Sequence, residues 1–420
     1  MPDPWSAEVA PFVDRCLFGD ARERLAELPA GSVHCCVTSP PFYGLRDYGT
    51  GTWDGGDPGC SHEVGRFTYA ASDKQRSNAG SASHKARGLC PHCGARRVDK
   101  QIGLESTPAE YIAQMVGVMA EVRRVLRDDG TLWLEVGDSY SGSANSGSAH
   151  GLKPKDLIGI PWRLALALQA DGWYLRADII WHRNNPMPES VTDRPTKAHS
   201  YVFLLTKRAR YFYDADAVRE GYATDGVNGG MLSRGRIGPQ GWQSGTPKNP
   251  AGRNARSVWT INTRPFSGAH FAVMPEALPE RCIKAGTSER GVCGDCGAPW
   301  ERVVEKERAK DPNRHTGRAA VGCSDRQDAD QPRMIVTART TGWAPTCSCD
   351  AGDPQPALCL DPFFGSGTTG KVARDLGRSY VGVELNPEYA EVQRLRFGGR
   401  GYAQRKALED AGQLGLFADA

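Results

Sequence analysis

Thr38-Ser39-Pro40-Pro41-Phe42 follows the apolar run Val33-His34-Cys35-Cys36-Val37 and carries residues well suited to chemistry at a strand's end. Two consecutive prolines fix φ and remove two backbone donors, so the loop is stiff and its carbonyls and the Ser39 hydroxyl are left as acceptors. The aromatic Phe42 follows at once. Acceptors beside an aromatic face suit a planar ring bearing an exocyclic amine, which is what cytosine or adenine presents when turned out of a duplex.

A second chemical segment lies far downstream, where Ala357-Leu358-Cys359-Leu360 runs into Asp361-Pro362-Phe363-Phe364-Gly365-Ser366-Gly367-Thr368-Thr369-Gly370. This is a buried-strand pattern ending in an acid, then a glycine-rich turn, then a helix over Lys371 to Leu376 closed by Gly377. The glycines allow a tight turn and let a ligand approach the backbone closely. The next strand, Ser379 to Val383, ends in Glu384, and Asn386-Pro387 supplies an N-cap and an N1 proline for another helix. Glu384 follows Asp361 by 23 residues. That spacing is one β-α-β unit with an acid placed to accept hydrogen bonds from ribose hydroxyls.

The elements that must position these loops read as one large α/β unit. Arg15 to Gly19 has a strand pattern, Ala21 to Leu28 a helical one, and Val33 to Val37 is the strand feeding the first loop. Asp20, an acid just before a helix, is also an ordinary N-cap. Pro108 to Leu126 is amphipathic, with Ile112, Met115, Met119, Val122 and Leu126 on the face expected to be core. Thr131 to Val136 is a strand, Gly137 to Gly151 a Gly/Ser loop, and Pro161 opens a helix that Gly172 closes. Tyr174 to Trp181 and Tyr201 to Thr206 are expected to pair in the sheet.

The 420 residues, 39% hydrophobic and 24% charged, have an ordinary globular composition, and the net charge of +3 says little about partners. Its distribution says more. Gly65 to Lys100 holds eight basic residues, Arg66, Lys74, Arg76, Lys85, Arg87, Arg96, Arg97 and Lys100, against Asp73 and Asp99, a balance able to neutralise phosphates. A solvated Gly/Ser-rich insertion is the plain alternative. No run of eighteen apolar residues occurs, and Met1-Pro2-Asp3-Pro4-Trp5 has neither a basic start nor an apolar core, so a cytoplasmic location without membrane insertion is expected.

Thirteen cysteines are unexpected as disulfides in a reducing compartment. Their spacing offers another use. Cys60 and His62 with Cys90 and Cys93 make one four-ligand set, and Cys293 and Cys296 with Cys347 and Cys349 make a second. The Cys-x-x-Cys-Gly turn recurs in both, so one or two structural Zn²⁺ ions are expected, with His84, His92 and Cys323 as substitute ligands and free surface thiols as the alternative. Four protein ligands leave no open position, so neither set reads as catalytic.

Together the Ser-Pro-Pro-Phe loop, the glycine loop and the acids resemble the permuted, beta-class DNA amino-methyltransferases that use S-adenosylmethionine (SAM). Phe18-Gly19-Asp20 is similar to the family's adenine-contacting loop. His270-Phe271-Ala272 with Pro275 is similar to the segment that closes over the cofactor, and Trp181-His182-Arg183-Asn184-Asn185-Pro186-Met187-Pro188 occurs in many phage and restriction-associated relatives. The resemblance implies a Rossmann-like methyltransferase sheet, circularly permuted, with zinc-ribbon-like insertions. It assigns residues 11–48 and 101–206 to the catalytic half, 264–289 and 351–400 to the SAM-binding half, 207–263 to target recognition, and 49–100 and 290–350 to insertions. Arg208, Arg210, Arg234, Arg236, Lys248, Arg253 and Arg256, with Tyr211, Tyr213, Trp242 and Trp259, suit the recognition role, since arginine reads guanine edges and grips phosphates.

By the same resemblance Ser39, Pro40, Pro41 and Phe42 are catalytic. Asp20, Thr38, Asp361, Pro362, Phe363, Gly365, Ser366, Gly367, Thr368, Glu384 and Asn386 hold the cofactor, with Asp361 ordering its methionyl end or only capping the turn. The implied reaction is methylation of cytosine N4 in double-stranded DNA with the target base flipped out; N6-adenine methylation is the alternative, and a non-enzymatic zinc-bearing DNA-binding protein the third reading. Ser39 favours cytosine, because adenine enzymes more often carry an acid or amide at that place. Exocyclic N4 is a poor nucleophile while its lone pair is delocalised into the ring. Acceptors on both N–H bonds, here Ser39 Oγ and the Pro40 carbonyl, return that density to nitrogen while Phe42 stacks on the base. Cytosine-C5 chemistry needs a cysteine nucleophile, usually after proline, and the chain has no Pro-Cys dipeptide.

Overall fold

A computed structural model describes residues 5–45, 48–62, 89–90, 92–141, 152–221, 252–263, 273–310, 334–350 and 352–397. Its first part runs β1 (Arg15–Phe18), α1 (Ala21–Ala26), β2 (Val33–Thr38), β3 (Thr52–Asp54), β4 (Arg96–Val98), α2 (Pro108–Val125), β5 (Leu126–Val136), α3 (Ile160–Ala170), β6 (Tyr174–His182) and β7 (His199–Thr206). There follow β8 (Val258–Thr260), α4 (Ala277–Gly286), β9 (Trp300–Lys310), β10 (Met334–Pro345), β11 (Leu358–Asp361), α5 (Thr368–Asp375), β12 (Ser379–Glu384) and α6 (Tyr389–Phe397).

Eight strands form one sheet in the order β1-β12-β11-β2-β5-β7-β6-β8. Pairing is parallel from β1 through to β5, antiparallel where β7 lies between β5 and β6, and parallel again at β8. The central strands are buried on both faces, and alternation splits them between two cores. Cys36, Leu132, Leu134, Leu358, Leu360, Val381 and Val383 face the layer of α1, α2 and α3. Cys35, Val37, Trp133, Cys359 and Tyr380 face α4 and α5. β2 and β11, adjacent at the middle, are followed in the chain by connections running to opposite sides of the sheet. That is the switch point outside whose strand ends open α/β sheets bind ligands.

Local chemistry accounts for the boundaries. Thr107 caps α2 with a full capping box to Glu110, and Pro108 opens it. Its buried face holds Tyr111, Met115, Val118, Met119, Val122 and Val125; Ile112 is only half-buried, and Leu126 already belongs to β5. β5 therefore starts five residues before the expected Thr131, since the chain passes from helix to strand without a loop. Gly130 permits this, because a Cβ there would lie 2.9 Å from the His34 carbonyl. α5 begins at Thr368 rather than Lys371, since Gly367 at φ +78° takes the left-handed turn before it. The Asn386-Pro387 turn precedes α6 instead of forming its first turn.

Residues 207–263 are partly built into the body. β8 adds an edge strand beside β6, Trp259 packs on Trp133 in the core, Arg253 and Arg256 pair with Glu220, and Arg208 pairs with Asp128. Arg234, Arg236, Trp242 and Lys248 lie outside the described residues, as do His84, Cys323, His270-Phe271-Ala272 and the basic residues Arg66 to Arg87.

Candidate active site

β2 delivers Thr38 and Ser39 to the C-terminal edge of the sheet, and β11, its parallel neighbour, delivers Asp361. The buried Thr38 hydroxyl donates to Asp361 Oδ1 at 2.6 Å, and the Phe363 amide donates to the same oxygen at 3.1 Å. Asp361 thus both caps the glycine turn and ties it to the first loop. Its burial pushes the carboxyl pKa up to about 6 against these two bonds.

Ser39 Oγ donates to Glu135 Oε2 at 2.5 Å. Glu135 is the next-to-last residue of β5 and is 3% exposed, and burial raises its pKa while the Ser39 hydroxyl, Arg183, Ser200 and Lys197 oppose the rise. Its second oxygen, Oε1, is buried without a hydrogen-bond partner among the described residues. The remaining loop is held from outside. Tyr111 donates its hydroxyl to the Pro41 carbonyl at 2.9 Å, and the Phe42 ring lies against Gly137, where a Cβ would approach it to 2.4 Å. The Pro40 carbonyl takes part in none of the hydrogen bonds among the described residues.

On the cofactor side Glu384 closes the glycine turn: Oε2 accepts from the Gly365 amide at 2.7 Å and Oε1 from the Asn386 amide at 2.8 Å. Burial raises the Glu384 pKa, and Asp361 adds to the rise, while these amides counter it. Asp20 accepts from the Arg22 and Glu23 amides and so caps α1. Each of these acids keeps further lone pairs for a ligand.

One open cleft of about 1090 Å³, its mouth included, joins the two loops. Asp20, Ser39, Pro41, Asp361, Pro362, Phe363, Gly365, Ser366, Thr368 and Glu384 line it, together with Gly19, Tyr48, Thr50, Lys100, Gln101, Ile102, Met274 and Leu385. Pro40, Phe42, Thr38, Gly367 and Asn386 do not line it: Thr38 is the strut to Asp361, Phe42 packs on Gly137, Gly367 is the turn before α5, and Asn386 is a cap accepting from Glu388 at 2.9 Å. Three acids beside apolar walls fit a ligand with ribose hydroxyls, a flat base and positive charge, so the residues suit SAM.

The match to family models is decisive. A model described as "DNA methylase" matches residues 33–296 and 351–394, which include both loops and most of the sheet. The chain belongs to the DNA methylase family. Two type II methyltransferases are similar over most of their length: M.Cfr9I of Citrobacter freundii at 35% identity, with 91% of this chain and 86% of that protein covered, and M.XycI of Xanthomonas campestris pv. cyanopsidis at 36%, with 91% and 87% covered. Among solved structures, PvuII DNA methyltransferase (cytosine-N4-specific) aligns over 95% of this chain and 91% of that one, at 15% identity and a TM-score of 0.48, a likeness too slight to build on.

Family membership makes the Ser39 loop the feature of greatest interest, and two of its partners escaped the sequence reading. Glu135 had one signal: it is the acid inside the apolar run Leu132-Trp133-Leu134-Glu135-Val136, a place where a charge needs a partner. Tyr111 had none, because its spacing marks it only as a core residue of α2. The two Cys/His sets come together as expected: within each, the ligand atoms all lie within 4.8 Å of one another.

Proposed function

We propose that this DNA methylase is a site-specific enzyme of restriction-modification or phage type that methylates the exocyclic N4 amine of cytosine in double-stranded DNA. SAM serves as methyl donor and the target base is flipped into the cleft. The observation that carries the proposal is the Ser39–Glu135 pair. Because the Ser39 hydroxyl proton is committed to Glu135, its lone pairs are available to accept from an amine. A neutral serine acceptor, rather than an acid, stands at the head of the Pro-Pro-Phe turn, as in the cytosine-type motif.

When bound, SAM supplies an electrophilic methyl group on a positive sulfonium. The chain's own residues do the rest. Ser39 Oγ and the Pro40 carbonyl accept the two amine N–H bonds and draw the lone pair onto nitrogen, and Phe42 stacks on the ring. Asp20, Asp361 and Glu384 would hold SAM, and an amine that had taken up its methyl group would be acidic. Its proton passes to Ser39 Oγ while the serine proton passes to Glu135 Oε2, which burial has made a better base than an exposed carboxylate. Arg183 and the half-buried Lys197 are positive charges that favour the ionised form of Glu135. Lys197 Nζ is buried without a hydrogen-bond partner among the described residues.

The test is to incubate the protein with labelled SAM and DNA, digest to nucleosides and separate the products. Label in 4-methylcytosine is expected. Label in 6-methyladenine would replace cytosine by adenine at the same site, and no transfer would leave only a DNA-binding role.

A further inference from the structure

Two turns far apart in the chain are built alike. In the first, the Gly94 amide donates to the Cys90 carbonyl at 2.8 Å and the Cys90 amide to the Ala95 carbonyl at 2.6 Å. In the second, the Gly297 amide donates to the Cys293 carbonyl at 2.9 Å and the Cys293 amide to the Ala298 carbonyl at 2.8 Å. Both glycines are left-handed, Gly94 at φ +73° and Gly297 at φ +69°. Such a turn aims two cysteine sulfurs at one point, and a second pair faces it each time: Cys60 with His62, and Cys347 with Cys349.

The separations are those of a metal's coordination shell. Cys60 Sγ lies 3.8 Å from Cys90 Sγ, and His62 Nδ1 lies 3.4 Å from Cys93 Sγ. A tetrahedron with zinc–sulfur bonds of about 2.3 Å has sulfur–sulfur edges of about 3.8 Å, and a sulfur–nitrogen edge slightly shorter. None of the described cysteines is in a disulfide. His62 is held for the purpose: it takes a left-handed φ of +49°, a costly backbone for a residue with a Cβ, and its ring stacks on Trp53 at 4.9 Å. Gly56 wraps so closely that a Cβ there would sit 2.7 Å from Cys93 Sγ.

We infer that each cluster binds one structural Zn²⁺, Cys₃His in the first and Cys₄ in the second, and that the first zinc holds one wall of the cofactor cleft in place. The first cluster closes a hairpin of β3 and β4, strands of three residues each, too short to stay paired unaided. The chain on either side of that hairpin supplies Tyr48 and Thr50 before it and Lys100, Gln101 and Ile102 after it, all lining the cleft. Those two stretches are tied to each other by Tyr48 N–H to Gln101 Oε1 at 2.7 Å and Thr50 Oγ1 to Asp99 at 3.0 Å. The second cluster sits on the far side. Its turn rests on the body through Arg127 Nη1 to the Cys296 carbonyl at 2.7 Å and His34 Nε2 to the Gly297 carbonyl at 3.1 Å, and none of its ligands lines the cleft. The two zincs therefore differ in consequence: loss of the first loosens the cofactor wall, loss of the second leaves it.

The part about the wall rests on reading the cleft as the SAM site; the metal content does not. Full-length protein purified without chelator is expected to contain two zinc atoms per chain by elemental mass spectrometry. Cobalt substitution is expected to give the visible bands of tetrahedral thiolate sites. Less than about one zinc per chain, or iron in its place, overturns the metal assignment whatever the enzyme methylates. Cys90→Ser/Cys93→Ser is expected to lose one zinc and bind SAM about tenfold more weakly by calorimetry, whereas Cys293→Ser/Cys296→Ser loses one zinc and binds SAM as before. One zinc lost at the first cluster with unchanged SAM affinity overturns the wall. Should the first variant fail to fold, stepwise chelation of the wild-type protein decides: SAM affinity must fall with loss of the first zinc, return on adding zinc alone, and leave the circular dichroism unaltered.

Discussion

The two loops that meet in the cleft are held in opposite ways. Apart from two bonds that join it to the other loop, Thr38 to Asp361 and Thr369 to Val37, the glycine loop is tied to its own neighbourhood: Phe363 to Asp361 and Asn386 to Glu384 are two residues apart, and Gly365 to Glu384 is nineteen. The Ser39 loop is tied to the rest of the molecule. Thr38 bonds across 323 residues to Asp361, Ser39 across 96 to Glu135, and Pro41 across 70 to Tyr111. Just upstream, His34 accepts from the Leu358 amide 324 residues away, and the Val37 carbonyl accepts from Thr369 across 332. A loop that cradles a cofactor can be a local motif. A loop that, on the proposed function, holds an amine against that cofactor has to be located by the whole sheet.

That contrast predicts that damage on the Ser39 side appears in turnover and global stability, and damage on the glycine side in cofactor affinity. The largest effect is expected for Ser39→Ala, with kcat reduced about 10²–10³-fold and SAM affinity nearly unchanged. Single-turnover methylation alongside calorimetry separates the two, and equal losses would make Ser39 a structural residue. Glu135→Gln is expected to reduce kcat about 10²-fold. Because the carboxylate form takes the proton, the wild-type rate rises as pH climbs through the elevated Glu135 pKa, and the variant should lose that rising limb.

Next comes a stability effect centred on His34. Its ring bridges the Leu358 amide and the Gly297 carbonyl, and burial, with Arg127 nearby, pushes its pKa down from 6.5 to about 4. A depressed histidine pKa means the unfolded chain binds the extra proton first. The stability is thus fully present above pH 6.5 and is lost as pH falls from there towards 4, by about 2 kcal/mol between pH 7 and pH 5. Urea unfolding at the two pH values should show this loss, and His34→Phe should remove that part of the slope. The smallest effect is expected for Glu384→Gln, which places an amide N–H₂ against the Gly365 or Asn386 amide: about a tenfold rise in the SAM Kd, with kcat at saturating SAM retained. A collapse of kcat there would erase the division of labour between the loops.

The same contrast explains what the sequence made legible. The glycine loop could be read residue by residue because strand, acid, turn and second acid follow one another within one β-α-β unit. The Ser39 loop could be found, since two prolines and an aromatic announce it, but not its supports. Glu135 and Tyr111 meet it only after β5 and α2 pack, and only the paired strands set Thr38 against Asp361. Both cysteine clusters were visible because each half is a local turn with a fixed spacing. Their different positions relative to the cleft were not, since that depends on where the hairpins join the sheet. The basic stretch from Arg208 to Arg256 shows the limit of composition: Arg208, Arg253 and Arg256 are engaged by Asp128 and Glu220 on the protein itself.

The pairing of β2 with β11 sets Cys35 opposite Cys359 and Cys36 opposite Leu360. Each step along a strand is about 3.3 Å, and reacting atoms must approach to about 3–3.5 Å for transfer. A slip of one residue would therefore misplace donor and acceptor by the whole length of the reaction, and would turn every side chain of the strand to the other face. The backbone ladder acts as a ruler between the two substrates. Precision in this enzyme is stored in a count of peptide units, which no single side-chain substitution at the cleft can recalibrate.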